Sequence, residues 1–192
     1  MSFRTSSDKL AYISENVFFE VPERSKQIFI SMVGGGGAGG IALETSTGGG
    51  GGAGGACSRM PFFSEGYVAF DCHVGKGGDE KNPDGGDTIV DVYVDKSLVA
   101  TYNVKGGKGA DGRKGGAGGK GYYTFHGLNG SDGNDIKIGE YRIGGEGGAS
   151  IHFNGGNSDE INGSYGSGGG GSISKDSIAG RGGDGFIVIE YI

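Results

Sequence analysis

The sequence predicts an all-β protein in which β-strands frame a sandwich of packed polyglycine II helices, with little or no α-helix. Three observations support this prediction. Glycine accounts for 48 of the 192 residues, against an ordinary share of about 7%. Val (11), Ile (15), Phe (10) and Tyr (9) far outnumber Leu (4), which is typical of strands rather than helices. The glycines are gathered in runs that alternate with these β-forming stretches.

Residues 67–74 show the clearest strand pattern, because apolar and polar positions alternate with a period of two. One face carries Val68, Phe70, Cys72 and Val74. The other face carries Tyr67, Ala69, Asp71 and His73. The pattern predicts a strand with one buried face.

Residues 88–94 and 97–104 form a predicted hairpin. Asp95 and Lys96 separate the two β-forming runs, and two polar residues in that position are typical of a tight turn. Alternation places Leu98, Ala100, Tyr102 and Val104 on one face of the second strand. Further strands are predicted at 12–21, 27–33, 135–143, 150–153 and 186–191.

The glycine runs lie between the strands, at 34–40, 48–55, 106–121, 144–148, 166–171 and 180–185. Polyglycine II geometry suits such runs, because it has three residues per turn and no internal hydrogen bonds. Its amides and carbonyls then bond laterally to neighbouring segments, and proline is disfavoured because it lacks the donor. Residues 48–55 would extend about 25 Å at ~3.1 Å per residue.

The predicted centre of this array is formed by glycines from three of the runs. Its residues are Gly34, Gly35, Gly36, Gly37, Gly48, Gly49, Gly50, Gly51, Gly182 and Gly183. Lys108, Arg113 and Lys114 are expected where an outer segment faces solvent.

Three stretches carry a resemblance to a known family. The first joins Val21-Pro22 and a strand to GGGGAGG, the second joins Glu65-Gly66-Tyr67 to Gly85-Gly86-Asp87-Thr88, and the third runs from Gly180 into the last strand. In this order they resemble the glycine-rich domains of phage tail-fibre adhesins and of virion proteins of large DNA viruses. The likeness covers roughly residues 17–192, which predicts an N-terminal segment (1–16) and one glycine-rich β/polyglycine II domain (17–192).

The resemblance implies β-strands framing a sandwich of polyglycine II helices, with variable loops that contact the host receptor in the adhesins. Only about 16 residues precede the match, and residues 122–143 are strand-like rather than glycine-dominated. Both departures favour a structural virion protein, capsid-associated or on the virion surface. A receptor-binding adhesin for a host glycan or protein is the alternative. Ice binding is a third reading, which the charged residues Lys108, Asp111, Arg113 and Lys120 disfavour.

Aromatic residues are concentrated in two loop-like stretches, Phe62 and Phe63 in one and Tyr122, Tyr123 and Phe125 in the other. Exposed aromatics suit recognition because they bury a large area with few rotatable bonds. These five residues are the candidate recognition or interface residues. Capping of the ends of the glycine sandwich is the other interpretation. Self-association is expected, since virion surface proteins are often symmetric oligomers, and the resemblance suggests a trimer.

The remaining chemistry predicts a protein that is not an enzyme and has no cofactor. No nucleophile, base and orienting group are grouped, and the match to G-x-G-x-x-G at 107–112 lacks a following helix. No metal site is predicted, although the acidic loops around Asp84 and Asp132 leave calcium open. Cys57 and Cys72 are expected to be free and buried, with a disulfide as the alternative.

Charge and hydropathy predict partners and location. A formal net charge of −6 disfavours nucleic acid, whose phosphates require a basic surface. No apolar run approaches the ~20 residues of a membrane span, and the first residues lack a signal-peptide pattern. The expectation is a protein made in the host cytoplasm without a signal peptide and located in the virion, with other virion proteins as partners.

Overall fold

The computed structural model describes residues 10–21, 27–123, 125–135, 142–157 and 161–191. These ranges contain eight β-strands and no helix, which confirms the predicted all-β class. The strands are β1 (Leu10–Ile13), β2 (Val17–Glu20), β3 (Gln27–Val33), β4 (Ala56–Phe63), β5 (Val68–His73), β6 (Thr88–Val94), β7 (Ser97–Val104) and β8 (Phe186–Tyr191).

The strands form two four-stranded antiparallel sheets. Sheet A has the order β1-β8-β3-β4, and sheet B has the order β2-β5-β6-β7. In sheet A, Met32 lies between Cys57 of β4 and Ile187 of β8. In sheet B, Cys72 lies between Val17 of β2 and Val90 of β6.

The core lies between the two sheets, where their inward-facing side chains form one cluster. Alternation along each strand produces it, because every second residue points to the same face. Sheet A contributes Ile28, Ile30, Met32, Ile187 and Ile189, all fully buried. Sheet B contributes Val68, Phe70, Cys72, Val90 and Val92 to the same core. The apolar face predicted for residues 67–74 is therefore confirmed.

The β6–β7 hairpin turns at Asp95 and Lys96, as the sequence predicts. Both residues have positive φ, 48° and 69°, the conformation of the tight turn that matches strand twist. The face predicted for β7 is wrong at Leu98. The register shifts between Val92 and Tyr93, so Leu98 pairs with Tyr93 on the outer face and is 56% exposed. One extra residue in a strand moves every side chain beyond it to the other face.

Two other strand predictions are corrected by the structure. The strand predicted at 12–21 is divided into β1 of sheet A and β2 of sheet B. Asn16, in the break, accepts a hydrogen bond from the Val74 amide through its Oδ1. The chain crosses between the sheets at this point, so one continuous strand is impossible.

Residues 150–153 form a tight turn instead of the predicted strand. The Ser150 amide donates to the Phe153 carbonyl at 2.9 Å, and the Phe153 ring packs against Tyr165 and Phe186. The strand predicted at 135–143 lies mostly outside the described residues. Within it, Asp135 makes an isolated bridge to Ser46.

The glycine segments continue the strands beyond the end of the sandwich. Residues 34–40 leave β3 and 48–55 enter β4, while 74–78 leave β5 and 83–87 enter β6. Residues 105–110 leave β7 and 180–185 enter β8. The segments therefore form a glycine array on one side of the sheets. The loops that join the segments lie at its far end, called here the distal end.

Candidate functional site

The segment 34–40 shows the lateral bonding that defines the array. Its amides donate outward in three directions, and every third residue donates to the same neighbour. Gly34, Gly37 and Gly40 donate to the carbonyls of 55, 52 and 49. The amides of 35 and 38 donate to the carbonyls of 86 and 83, and the amides of 36 and 39 donate to those of 183 and 180. A period of three with only lateral partners is that of polyglycine II.

The segment 48–55 is bonded at every amide. Gly48, Gly51 and Gly54 donate to the carbonyls of 172, 169 and 166. The amides of 49, 52 and 55 donate to 112, 108 and 105, and those of 50 and 53 donate to 131 and 128. Carbonyls of the same segment accept from segments 34–40, 116–119 and 145–148. Six segments therefore surround this one, and its buried backbone needs no water.

Close approach of backbones explains why these positions are glycine. A Cβ added to Gly36 would lie closer than 3.0 Å to the Ser167 carbonyl, and one added to Gly49 would meet Arg113 and Lys114 in the same way. The ten glycines predicted for the centre of the array are all buried in the structure. Backbone atoms cannot move aside as a flexible side chain can, so substitution there must displace a whole segment.

The hairpin 105–121 shows how an outer segment is built. Its arms pair through the Lys105 amide to the Lys120 carbonyl and the Lys108 amide to the Ala117 carbonyl. Exposure repeats every three residues. Lys105, Lys108, Ala117 and Lys120 are exposed, whereas the glycines two positions after Lys105 and Ala117 are buried. The charged residues thus occupy the outward position of each triplet. The predicted exposure of Lys108, Arg113 and Lys114 is confirmed.

Lysine and aspartate form a recurrent clamp on the outer segments. The Asp87 carboxylate accepts the Gly106 amide through Oδ1 at 3.0 Å and the Lys105 ammonium through Oδ2 at 2.6 Å. One carboxylate therefore satisfies an outward backbone amide and pairs with the preceding lysine. The same arrangement is formed by Asp84 with Lys108 and Gly109, and by Asp184 with Lys76 and Gly77.

The clamps perturb the ionisation of their members. Partial burial by itself raises the pKa of the Asp84 carboxyl, but hydrogen bonds from Lys108 and the Gly109 amide outweigh it, so the pKa lies below its ordinary value. The pKa of Asp87 is lowered by the same balance, with Lys105 and Gly106 as donors. The hydrogen bond to Asp84 raises the pKa of Lys108. Charged carboxylates thus favour the bonded array.

Tyr122, Tyr123 and Phe125 lie where the array meets sheet A. The Tyr122 amide donates to the Ala56 carbonyl, and its hydroxyl accepts the Asn103 amide of the edge strand β7. Its ring contacts Tyr102 edge-on at 6.1 Å between centroids. Tyr123 has φ 55° and is 81% exposed, whereas Phe125 is half-buried. Tyr122 therefore closes the side between β4 and β7.

Phe62 and Phe63 lie at the opposite end of β4 from Ala56. Phe62 is half-buried and packs against the core, and Phe63 is largely exposed. Phe63 is seven positions beyond Ala56, which is about 23 Å at ~3.3 Å per residue. The five candidate aromatics are thus divided between two separate places. The stretch 60–63, predicted to be a loop, lies instead in β4, and Pro61 is compatible with this strand because β4 is at the edge of its sheet.

The distal end carries a cleft of about 530 Å³ between the loops 41–46, 79–83, 110–112 and 175–179. Ile41, Leu43 and Ile178 are exposed large apolar residues there. Asp79, Glu80 and Asp176 place carboxylates along the same cleft. The cleft combines apolar and acidic groups, and no sequence pattern marked it.

A second cleft, on the outer face of sheet B, was also missed. Phe18, Tyr67 and Tyr93 line it together with Ala69. The available signal was alternation itself, since Tyr67 and Tyr93 fall on the polar faces of their strands. A patch of aromatic residues on the solvent-facing side of a sheet indicates an interaction surface.

The ionisable groups of the described ranges form no cluster that could hold a metal ion. Those ranges contain no group of three or more His, Cys, Asp or Glu side chains placed to hold a metal ion. The carboxylates of Asp84 and Asp132 instead accept the amides of Gly109 and Gly115. Nor do the described residues include a helix long and apolar enough to cross a bilayer.

Cys57 and Cys72 are free and buried, as predicted. Burial raises the pKa of the Cys57 thiol to about 11 and that of Cys72 to about 12. The Cys57 thiol donates to the Ile30 carbonyl at 3.7 Å. Both are packed as core side chains, and the thiolate needed for reactivity is scarce at neutral pH.

Two antiparallel sheets continued by a laterally bonded glycine array define a glycine-rich β-domain. The chain matches the family model of the glycine-rich domain over residues 13–192 and belongs to that family. This match confirms the predicted resemblance at the level of the glycine-rich domain. No curated protein matches the chain.

Proposed function

We propose that this chain is a non-enzymatic structural protein of a virion, capsid-associated or on the virion surface. The observation that carries the proposal is the bonding of segment 48–55, in which each amide donates to a neighbouring segment. Such a module resists local opening, because its buried polar backbone has no alternative partner. Persistence under proteolysis and drying is what a particle demands of a surface protein.

The resemblance to virion proteins supplies the viral part of this proposal, and the family match supports the glycine-rich domain alone. The test is an antibody raised against the recombinant chain and applied to density-purified particles from the source of the chain. We expect the antigen to sediment with particles at a constant ratio to the capsid protein. An antigen that stays in the soluble fraction would contradict the proposal.

A receptor-binding adhesin is the second candidate, and the distal cleft is the observation that favours it. Exposed Ile41, Leu43 and Ile178 lie at this cleft, and the segment 34–40 that leads to it extends about 22 Å beyond the end of β3, at ~3.1 Å for each of its residues. A laterally bonded array that ends in exposed loops presents them to a host glycan or protein. Ice binding has less support, since the outward triplet positions 105, 108 and 120 are lysines.

One double variant separates the two candidate functions. Ile41→Ser with Ile178→Ser changes exposed residues at the distal cleft and leaves the array intact. The adhesin reading predicts loss of binding of the labelled protein to host cells. The structural reading predicts unchanged incorporation into particles. Thermal hysteresis of the wild-type protein is the corresponding measurement for ice binding.

A further inference from the structure

The outer face of sheet B carries three aromatic rings around a small residue. Phe18 of β2 and Tyr67 before β5 are 57% and 61% exposed, and Tyr93 of β6 completes the group. The ring centroids of Phe18 and Tyr93 are 6.2 Å apart, with their planes tilted by 55°. Ala69, directly opposite Tyr93 in the register, lines the cleft together with them. The rings thus wall a cleft of about 1010 Å³ whose floor is a methyl group.

Two carboxylates line this cleft, and two more lie next to it on the same face of the sheet. Glu20 of β2, directly opposite Ala69, and Asp95, in the adjoining turn, are the lining carboxylates. The register places Asp71 of β5 between Phe18 of the cleft and Asp91 of β6. Like charges directly opposite each other on neighbouring strands destabilise a sheet. The pairing of Asp71 with Asp91 therefore works against folding.

Few cations balance these carboxylates in the part of the chain that the structure describes. Asp71 lies 3.4 Å from the His73 imidazole, which is charged only when protonated. Asp91 accepts a hydrogen bond from the Thr101 hydroxyl, which adds no charge. Lys96 is the one lysine or arginine among the described residues that line the cleft. The face combines exposed rings with an excess of negative charge.

We propose that this face binds a cationic side chain, arginine or lysine, carried by an extended segment of a partner protein. Charge complementarity identifies the occupant: aromatic faces attract cations, and neighbouring carboxylates pair with guanidinium or ammonium. The small Ala69 side chain leaves the depth that a long cationic side chain requires. A bound cation also neutralises the Asp71–Asp91 repulsion, which the free protein tolerates. This inference does not depend on the virion role.

The test uses the full chain labelled with ¹⁵N and a synthetic peptide, acetyl-Gly-Arg-Gly-Arg-Gly-amide. The control peptide carries citrulline in place of arginine, which keeps the shape and removes the charge. Titrations are run in 150 mM salt, where the Debye length of about 8 Å suppresses distant attraction. We expect saturable amide shifts at 67–71 and 91–96, and at least tenfold weaker binding of the citrulline peptide.

A double variant tests the residues. Asp71→Asn with Asp91→Asn should weaken binding of the arginine peptide at least tenfold. It should also fold with an unchanged or higher melting temperature, because it removes a like-charge pair. Glu146→Gln with Asp132→Asn makes the same charge change at exposed positions outside both clefts and should bind within twofold of the wild type.

Four outcomes overturn the proposal. They are equal binding of the arginine and citrulline peptides, equal loss in the control variant, shifts confined to another surface, and absence of binding. A parallel titration with chitotetraose tests whether this face binds a glycan. Shifts at this face with chitotetraose alone would make it a glycan site instead.

Discussion

A Cβ built on Gly51 would lie closer than 3.0 Å to the carbonyl oxygen of Gly37. The two residues belong to the two central segments, which are joined by the Gly37 amide donating to the Gly52 carbonyl at 2.8 Å. The contact is backbone against backbone at the middle of the array. The glycine at position 51 is therefore required by packing rather than by chain flexibility.

Gly51→Val should destabilise the protein by about 4 kcal/mol or more, the range of severe core defects, or abolish folding. A branched side chain at this point forces the segments apart and breaks lateral hydrogen bonds on both sides. Guanidinium denaturation monitored by circular dichroism measures the loss. If the variant does not fold, its soluble yield is compared with that of the wild type instead.

Gly112→Asn is the matched control for this variant. Gly112 lies in the turn of the outer hairpin with φ 55°, and no heavy atom lies within 4 Å of a Cβ built there. Asparagine tolerates that backbone conformation. The control should unfold within about 1 kcal/mol of the wild type, the range of ordinary surface changes. Equal stability of both variants would show that segment 48–55 is not packed.

Amide hydrogen exchange should be slow throughout the residues 48–55. Each of their amides donates to a carbonyl of another segment, so exchange requires the array to open. Exchange measured by NMR should give these amides protection close to that of β3 and β8. The exposed turn at 175–176 serves as the fast-exchanging reference. Fast exchange in 48–55, with protection only in the strands, would contradict the bonded array.

The clamps predict a loss of stability in acid. The folded pKa values of Asp84 and Asp87 are lowered, so their contribution is present above the ordinary aspartate value of about 3.9 and is lost as pH falls through the folded pKa. Melting temperature should therefore decline below about pH 4. Thermal unfolding from pH 7 to pH 2 measures this.

Asp84→Asn with Asp87→Asn tests the origin of that decline. Asparagine keeps an oxygen acceptor for the Gly106 and Gly109 amides but removes the charge that pairs with lysine. These pairs are exposed, so we expect each to contribute at most about 1 kcal/mol at pH 7. The difference from wild type should vanish below the folded pKa. A difference of the same size at pH 2 and pH 7 would exclude the charge as its cause.

Cys57 and Cys72 should not react with a thiol reagent in the folded protein. Both are buried, and burial raises their pKa values to about 11 and about 12. Ellman's reagent at pH 8 should label them only at the rate of unfolding, and label both at once in denaturant. Leu128→Cys places a thiol at an exposed position as the positive control. Rapid labelling of the wild type would show that the core opens.

Strand prediction succeeded where alternation was regular and failed where tertiary contacts interrupted it. Residues 67–74 and the Asp95–Lys96 turn could be predicted, because period and turn chemistry are local properties. Leu98 could not be placed, since its face depends on a bulge that forms only against β6. Strand β4 was hidden by Pro61, which is compatible with a strand only because that strand lies at the edge of sheet A.

The candidate recognition residues show the same contrast between what local sequence reveals and what tertiary contacts decide. Tyr122 was identifiable as an aromatic in a loop, but its contact with Asn103 joins positions 19 residues apart. The cleft of Phe18, Tyr67 and Tyr93 joins three elements of sheet B, and only their register brings the rings together. Local composition carries no information on which strands become neighbours.

The sequence by itself determined that the protein is all-β and that its glycine runs can pack backbone to backbone. Alternation and the absence of Cβ atoms are local properties and need no partner to be read. Only the tertiary structure decided which segments are neighbours, for example that Gly37 bonds to Gly52 and Gly51 to Gly169. Glycine segments offer nearly identical donors and acceptors every three residues, so they do not specify their own register. The strands at their ends supply it, because apolar side chains pack between the sheets in one arrangement.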